Sequence, residues 1–298
     1  MNTAREAAAR LGPIGVWSFE LERMTAADEG RLAQEVESLG FRALWIPESL
    51  GSKEVFAHAG LLLAATKTLI VASGIANIWA RDPVAMSNGA RTLQEAYADR
   101  FLCGIGVSHK PTIDARLGGG YERPLTRMRD YLDGMDKAPY VGPNRKDPPP
   151  PRVLAALGPR MLRLAAERSL GAHPYFVPVE HTAIARKELG PDPLLAVEQA
   201  CTLERDPARG RAVARRHMKR YLGLDNYANN LRRLGWTDTD LAGEGSDALV
   251  DAIVAWGEVN AIRARAEAHR TNGADHVCLQ VLGDDLAGQL RVIARALL

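Results

Sequence analysis

The chain has 298 residues, of which 46% are apolar and 25% charged, and its formal net charge is +2. That is the balance of an ordinary soluble globular protein with enough length for a large core. It gives no case for nucleic acid or a membrane surface as a partner.

The dominant pattern is alternation of short apolar runs with amphipathic helices. Ile14–Ser18 reads as a first strand. Thr25 then stands as an N-cap with Asp28 three residues on, Leu32, Val36 and Leu39 form one apolar face, and Gly40 is a stop. Arg42–Ile46 is the second strand, with a helix from about Glu54 to Thr66. Leu69–Ile75 is the third, and Asp82-Pro83 opens a helix that runs to about Ala98. Phe101–Val107 is the fourth, with a helix from about Arg123 to Asp136. Pro148–Pro151 must be extended, since each proline disfavours a helical predecessor. It leads into a fifth strand, Arg152–Ala156, and the helix Pro159–Arg168. Ala172–Val177 is a short sixth strand with the helix Glu180–Leu189, and Leu194–Leu203 is the seventh. A helical region then runs from Asp206-Pro207 to about Asn272, broken near Asp225 and Gly235. Ala274–Leu282 is the eighth strand and Leu286–Leu298 the last helix.

Eight strands alternating with helices over one undivided chain predict a single (β/α)8-barrel domain over residues 1–298, with a helical insertion between strands seven and eight. A doubly wound open sheet is the rival arrangement. Cys103, Cys201 and Cys278 lie far apart in apolar runs and read as reduced core thiols. The N-terminal stretch has no apolar segment of signal type, and no run of about 18 apolar residues occurs, so a cytoplasmic protein is expected. The basic run Arg209–Arg220 reads as a solvated helix face.

In such a barrel the site lies at the C-terminal ends of the strands. That rule selects Trp17 and Ser18, Glu48, Ser73 to Asn77, Ser108 and His109, Leu157 to Arg160, His173 and Tyr175, and Gln280. The strongest local signal is Ala156-Leu157-Gly158-Pro159-Arg160. A strand ends, a glycine allows close backbone approach, and a proline occupies the first turn of a helix whose free N–H groups favour an anion. It is a phosphate cradle or a plain strand-to-helix turn. Gly104-Ile105-Gly106-Val107-Ser108-His109 lacks the third glycine of a dinucleotide fingerprint. Its glycines would let a flat ring approach the backbone. His109 is either a proton relay or a satisfied loop histidine. Gly74 inside the third strand points to a bulge or a close ligand approach. Glu48 is a proton carrier at the mouth or a solvated acid. To carry protons it would need an upward pKa shift through burial, which the adjacent Ser49 does not suggest. Trp17 and Trp79 wall an aromatic ligand or fill the core. No histidine set has metal-ligand spacing.

These residues resemble a known family. IGVWS, LWIPES, ASGIANIWARDP and RFLCGIGVSH are similar to the opening strands of the luciferase-like monooxygenase superfamily. AALGPRMLRLAAERSLGAHPYF, NYANNLRRLGW, SDALVDAIVAWG and GADHVCLQVL resemble its actinobacterial branch that uses coenzyme F420. The likeness runs from about Gly12 to Asp284. It implies a bulge in strand three with a non-prolyl cis peptide, here Gly74–Ile75, backing a deazaflavin ring. It implies that Asn77 and Ser108–His109 lie near the ring and ribityl chain, and that Leu157, Gly158 and Pro159 bind the coenzyme phosphate.

Together the strand-end rule and the resemblance put Trp17, Ser73, Gly74, Ile75, Asn77, Gly106, Ser108, Ala156, Leu157, Gly158, Pro159, Arg160 and Tyr175 on the coenzyme. His109, and after it Glu48, are the expected proton carriers. The function implied is an F420-dependent oxidoreductase passing a hydride to or from a small organic substrate, a homodimer by family likeness. The alternatives are an FMN-dependent monooxygenase on the same barrel and a barrel that binds a ligand or partner without catalysis. Pro47-Glu48-Ser49 stands where sugar-phosphate dehydrogenases of the group carry a histidine, which disfavours such a substrate. The segment Asp133–Pro151 reads as a shortened substrate loop.

Overall fold

The computed structural model describes every residue except 2, 50 and 144–147, so part of the shortened Asp133–Pro151 connection lies outside the described residues. Eight strands, Ile14–Trp17, Ala43–Ile46, Ile70–Ser73, Phe101–Gly106, Arg152–Leu154, Gly171–Ala172, Leu194–Thr202 and His276–Val281, pair in parallel in chain order. The eighth pairs with both the seventh and the first, which closes the barrel and rules out the open sheet. The third strand stops at Ser73 and resumes as Ala76–Asn77, now paired with Ile105 and Gly106 of the fourth. Between the two pieces the Gly74–Ile75 bond is cis, at the bond the resemblance implied.

Successive strand residues face opposite sides. Ala43, Trp45, Ile70, Ala72, Leu102 and Ala196 therefore fill the interior together with Cys278. Leu44, Ile46, Val71 and Val197 face the helices and join the larger core. Helix starts are capped where the sequence offers the residue. Thr25 accepts from the Asp28 N–H, and Asp82 from the N–H groups of Val84 and Ala85 with Pro83 in the first turn.

Three elements escape the apolar pattern. Helix Ala4–Leu11 buries only Ala7 and Leu11, which close the barrel interior from below. Helix Lys110–Leu117 buries only Ile113. The two-residue strand Ala255–Trp256 pairs with Cys201 and Thr202 inside a region expected to be helical. The sixth strand is shorter than expected. It ends at Ala172, and residues 173–177 leave it as irregular chain with a bend at Phe176, whose φ is 57°.

The insertion between strands seven and eight holds the helices Pro207–Leu222, Asp225–Arg233, Asp238–Leu241, Asp247–Ile253 and Val259–Thr271. Met218, Tyr221, Tyr227, Leu231, Leu249 and Ile253 form a second core there, into which Phe176 inserts. The basic run is not simply a solvated face. Arg211 pairs with Asp247 and Asp251, and Arg215 with Asp247, which staples the first of these helices to the fourth. All three cysteines are buried thiols. Among the described residues no helix is long and apolar enough to cross a membrane.

Candidate active site

The mouth of the barrel opens into a cavity at the C-terminal ends of the strands, where the rule for this architecture puts a site. Ten expected residues line it, Trp17, Glu48, Gly74, Ile75, Ser108, His109, Ala156, Leu157, His173 and Tyr175, whereas Gly158, Pro159 and Arg160 do not. Ser73 and Asn77 sit behind the wall. The Ser73 hydroxyl donates to Gly104 O at 2.8 Å, and the Asn77 side-chain oxygen accepts from the Trp79 N–H at 3.0 Å. Gly106 lies against Ile75, and a Cβ there would come within 2.5 Å of the isoleucine side chain. Trp79 does not line the cavity but packs against the main core, the second of the two roles open to it. Its indole N–H donates to Val107 O, Tyr121 lies 5.7 Å away ring to ring, and Arg127 covers the ring, so it braces the wall from outside.

Gly158 is the N-cap of Pro159–Arg168, and no side chain caps that helix. Pro159 has no N–H and the Met161 N–H is given to Gly158 O at 3.0 Å, so the N–H groups of Gly158 and Arg160 are the ones left for solvent or a ligand. A Cβ on Gly158 would lie 3.5 Å from Arg233 Nη2. The guanidinium beside the turn is thus that of Arg233, on helix Asp225–Arg233, held by Asn230 Oδ1 at 3.0 Å. Arg160 is exposed.

The two candidate proton carriers are held differently. Glu48 is buried, contrary to the inference from Ser49, with a side chain 6% exposed. Its carboxylate receives Arg81 Nη1 at 2.9 Å, Arg81 Nη2, and the Asn77 backbone N–H at 2.7 Å. Both oxygens are therefore occupied. His109 caps the helix Lys110–Leu117 and faces Asn226 Oδ1 from Nδ1 at 3.3 Å, with the Tyr227 ring beside it. Burial lowers its pKa, and the Arg220 cation pushes the same way against the hydrogen bond to Asn226. The ring is neutral near pH 7. With Nδ1–H directed at the amide oxygen, Nε2 carries the lone pair.

The far wall comes from the insertion. Tyr175 donates to Gln280 Oε1 at 2.8 Å and pairs with the Tyr221 hydroxyl at 2.8 Å. Behind this network Glu198 is buried, accepts the Phe176 N–H at 3.0 Å, and is pushed up to about 8 by burial. Arg220, Tyr221, Asn226 and Tyr227 line the cavity, although the sequence placed Arg220 on a solvated helix face and gave the other three no role. The signal was present in NYANNLRRLGW, whose helix Asp225–Arg233 buries one face, Tyr227, Ala228, Asn230 and Leu231. What the sequence lacks is the direction of that helix relative to the barrel mouth.

Two tryptophan–histidine pairs occupy the interior. In the deeper one the Trp45 indole N–H donates to His276 Nε2 at 3.0 Å, and His276 Nδ1–H donates to Gly12 O at 2.6 Å. In the upper one His173 stacks on Trp45 with ring centres 4.3 Å apart, and its Nδ1 lies 2.9 Å from Ala196 O. His173 Nε2 and Trp17 Nε1 are buried and have no protein partner.

The family model for the luciferase-like monooxygenase domain matches residues 6–276. A 5,10-methylenetetrahydromethanopterin reductase of Methanolobus tindarius is 27% identical over 61% of this chain and 63% of its own length. A Mycobacterium tuberculosis (strain H37Rv) protein, whose name proposes coenzyme F420-dependent oxidoreductase activity, is 26% identical over 57% of this chain and 56% of its own. The chain thus spans less than two thirds of the length of these relatives. An F420-dependent secondary alcohol dehydrogenase, solved with an F420-acetone adduct, superposes over 95% of this chain and 97% of its own with a TM-score of 0.76 at 14% identity, which shows the shared fold. The chain belongs to the luciferase-like monooxygenase family.

Proposed function

We propose that this family member is an oxidoreductase that holds coenzyme F420 in the mouth cavity and passes a hydride between it and a small organic substrate. The observation that carries the reading is the shape and chemistry of that cavity. Its walls are aromatic and apolar, Gly74 and Ile75 of the interrupted third strand face into it, and the uncapped turn Gly158-Pro159, with Arg233 beside it, directly follows the lining residue Leu157. A flat heterocycle would lie against Ile75 and Leu157, and a phosphate would take the free N–H groups and the arginine. The name of the Mycobacterium tuberculosis relative supports the choice of coenzyme.

The coenzyme, when bound, supplies the hydride chemistry, and the protein supplies orientation and exclusion of water. Within that division His109 is the proton carrier we favour, because its Nε2 lone pair is free and the ring is neutral near pH 7. Glu48 is a positioning residue. It ties Arg81 to the backbone of Asn77 and so fixes the resumed third strand.

The test is a titration of the protein with F420 and, separately, FMN. Tighter binding of F420 is expected, with about tenfold weaker binding in Gly158→Val, whose branched side chain intrudes on the phosphate. Preference for FMN would make the protein a flavin monooxygenase, and binding of neither would leave a barrel for another ligand. Unchanged affinity in a folded Gly158→Val would move the phosphate elsewhere. A cytoplasmic homodimer belongs to the same proposal, and sedimentation velocity measures the dimer.

A further inference from the structure

We infer that Trp17 Nε1 and His173 Nε2 form a subsite in the cavity floor that binds the hydroxyl group of an alcohol substrate. The inference deepens the function proposed above and rests on it. Both residues line the cavity, and each is only 1% exposed. Both nitrogens lack a protein partner, and leaving a buried polar atom unpaired is costly.

The two atoms converge on one point. A Cβ built on Gly74 would sit 2.5 Å from Trp17 Nε1 and 3.1 Å from His173 Nε2. The two nitrogens are therefore at most 5.6 Å apart, the two distances added, a span that one oxygen bridges with two ordinary hydrogen bonds, and glycine puts no side chain between them. The chemistry of the two is complementary. An indole N–H can only donate. His173 Nδ1 faces the Ala196 carbonyl, which can only accept, so the proton is on Nδ1 and Nε2 is a bare acceptor. One atom that accepts from the first and donates to the second is a hydroxyl oxygen. A ketone or ether oxygen satisfies only Trp17.

The deeper pair shows the same arrangement closed. Trp45 N–H donates straight to His276 Nε2, whose Nδ1–H is likewise given to a backbone carbonyl. In the upper pair the two partners are held apart. Phe19 and Tyr175 pack against the Trp17 ring at 4.6 and 5.1 Å, and Trp45 holds the plane of His173. Rings braced in this way cannot turn to meet each other, so the donor and acceptor stay directed at the cavity.

The probe is 2-butanol, compared with 2-butanone and 2-methoxybutane, on 15N-labelled protein with and without bound F420. The indole resonance of Trp17 is identified by its loss in Trp17→Phe. The expected result is a saturable shift of that resonance with the alcohol, with at least tenfold weaker binding of the ketone and ether. In His173→Phe, which keeps an aromatic ring on Trp45, alcohol and ether should bind alike. Equal responses to all three probes, or none to the alcohol, overturn the subsite. So does alcohol selectivity that survives in a folded His173→Phe. The change in F420 fluorescence in the same samples reports coenzyme binding by itself, so failure of the cofactor reading is seen separately from failure of the subsite.

Discussion

The two tryptophan–histidine pairs are built from the same residue types and differ in one respect. The deep pair spends its hydrogen bonds on itself and on Gly12. The upper pair leaves two atoms unspent beside a glycine. The division is one between these two pairs: the deep groups are satisfied internally and hold the fold, while the upper ones are held rigid but left unsatisfied. Polar groups left open in a rigid frame are what a binding site needs. The difference predicts that substitutions in the deep pair will be read in stability and those at residues lining the cavity in binding and turnover.

The largest effect is expected at the mouth. His109→Ala should lower turnover by about 10²–10⁴-fold if the imidazole moves the proton, while coenzyme binding and the melting temperature stay nearly unchanged. Unchanged turnover with weaker coenzyme binding would make it a binding residue. His276→Ala tests the deep pair. It leaves the Trp45 N–H and Gly12 O without a partner and opens a cavity, so a loss of about 3–5 kcal/mol is expected in urea unfolding. A loss under about 1 kcal/mol would break the comparison. Trp17→Phe, which removes no internal hydrogen bond, should cost less than about 1 kcal/mol in the same assay.

Glu198 gives a pH-dependent version of the test. Burial raises its carboxyl to about 8 from an ordinary 4.5. The folded chain keeps a proton that the unfolded chain has lost, so this stabilisation is full below about 4.5 and disappears as pH rises through 8. The buried histidines His173, His217 and His276, all held down at about 4 by burial, act in the other direction. Their contribution is present above 6.5 and is lost as pH falls through 4. They are common to the natural chain and to Glu198→Gln, so comparing the two isolates the carboxyl. Between pH 5 and 8 the melting temperature of the natural chain should fall relative to the variant. Parallel profiles would mean that Glu198 titrates normally.

Much of the barrel was legible because its strands are short apolar runs and its helices carry caps. Pro159–Arg168 has the ends expected of it, and Thr25, Asp82 and Gly158 stand where helices begin. Lys110–Leu117 was not legible, because a helix with one fully buried residue has no apolar face to read. At the site, strand-end residues could be named because the architecture fixes where strand ends point. Glu48 shows the limit. Its burial comes from Arg81, 33 residues away at the neighbouring strand end, and nothing in Pro47-Glu48-Ser49 announces that partner. Arg233 and Tyr227 were missed for the same reason, since a helix face seen in sequence has no address in space until it packs.

The second core in the insertion also governs how ligands enter. A segment with its own buried cluster can open as a cooperative unit while the rest of the chain stays folded. Tyr221 and Tyr227 belong to that cluster and also wall the cavity. Amide hydrogens of Pro207–Arg233 should therefore exchange sooner than those of the eight strands. A molecule seated in the mouth would slow that exchange, so the rate at which the wall breathes becomes a label-free measure of occupancy.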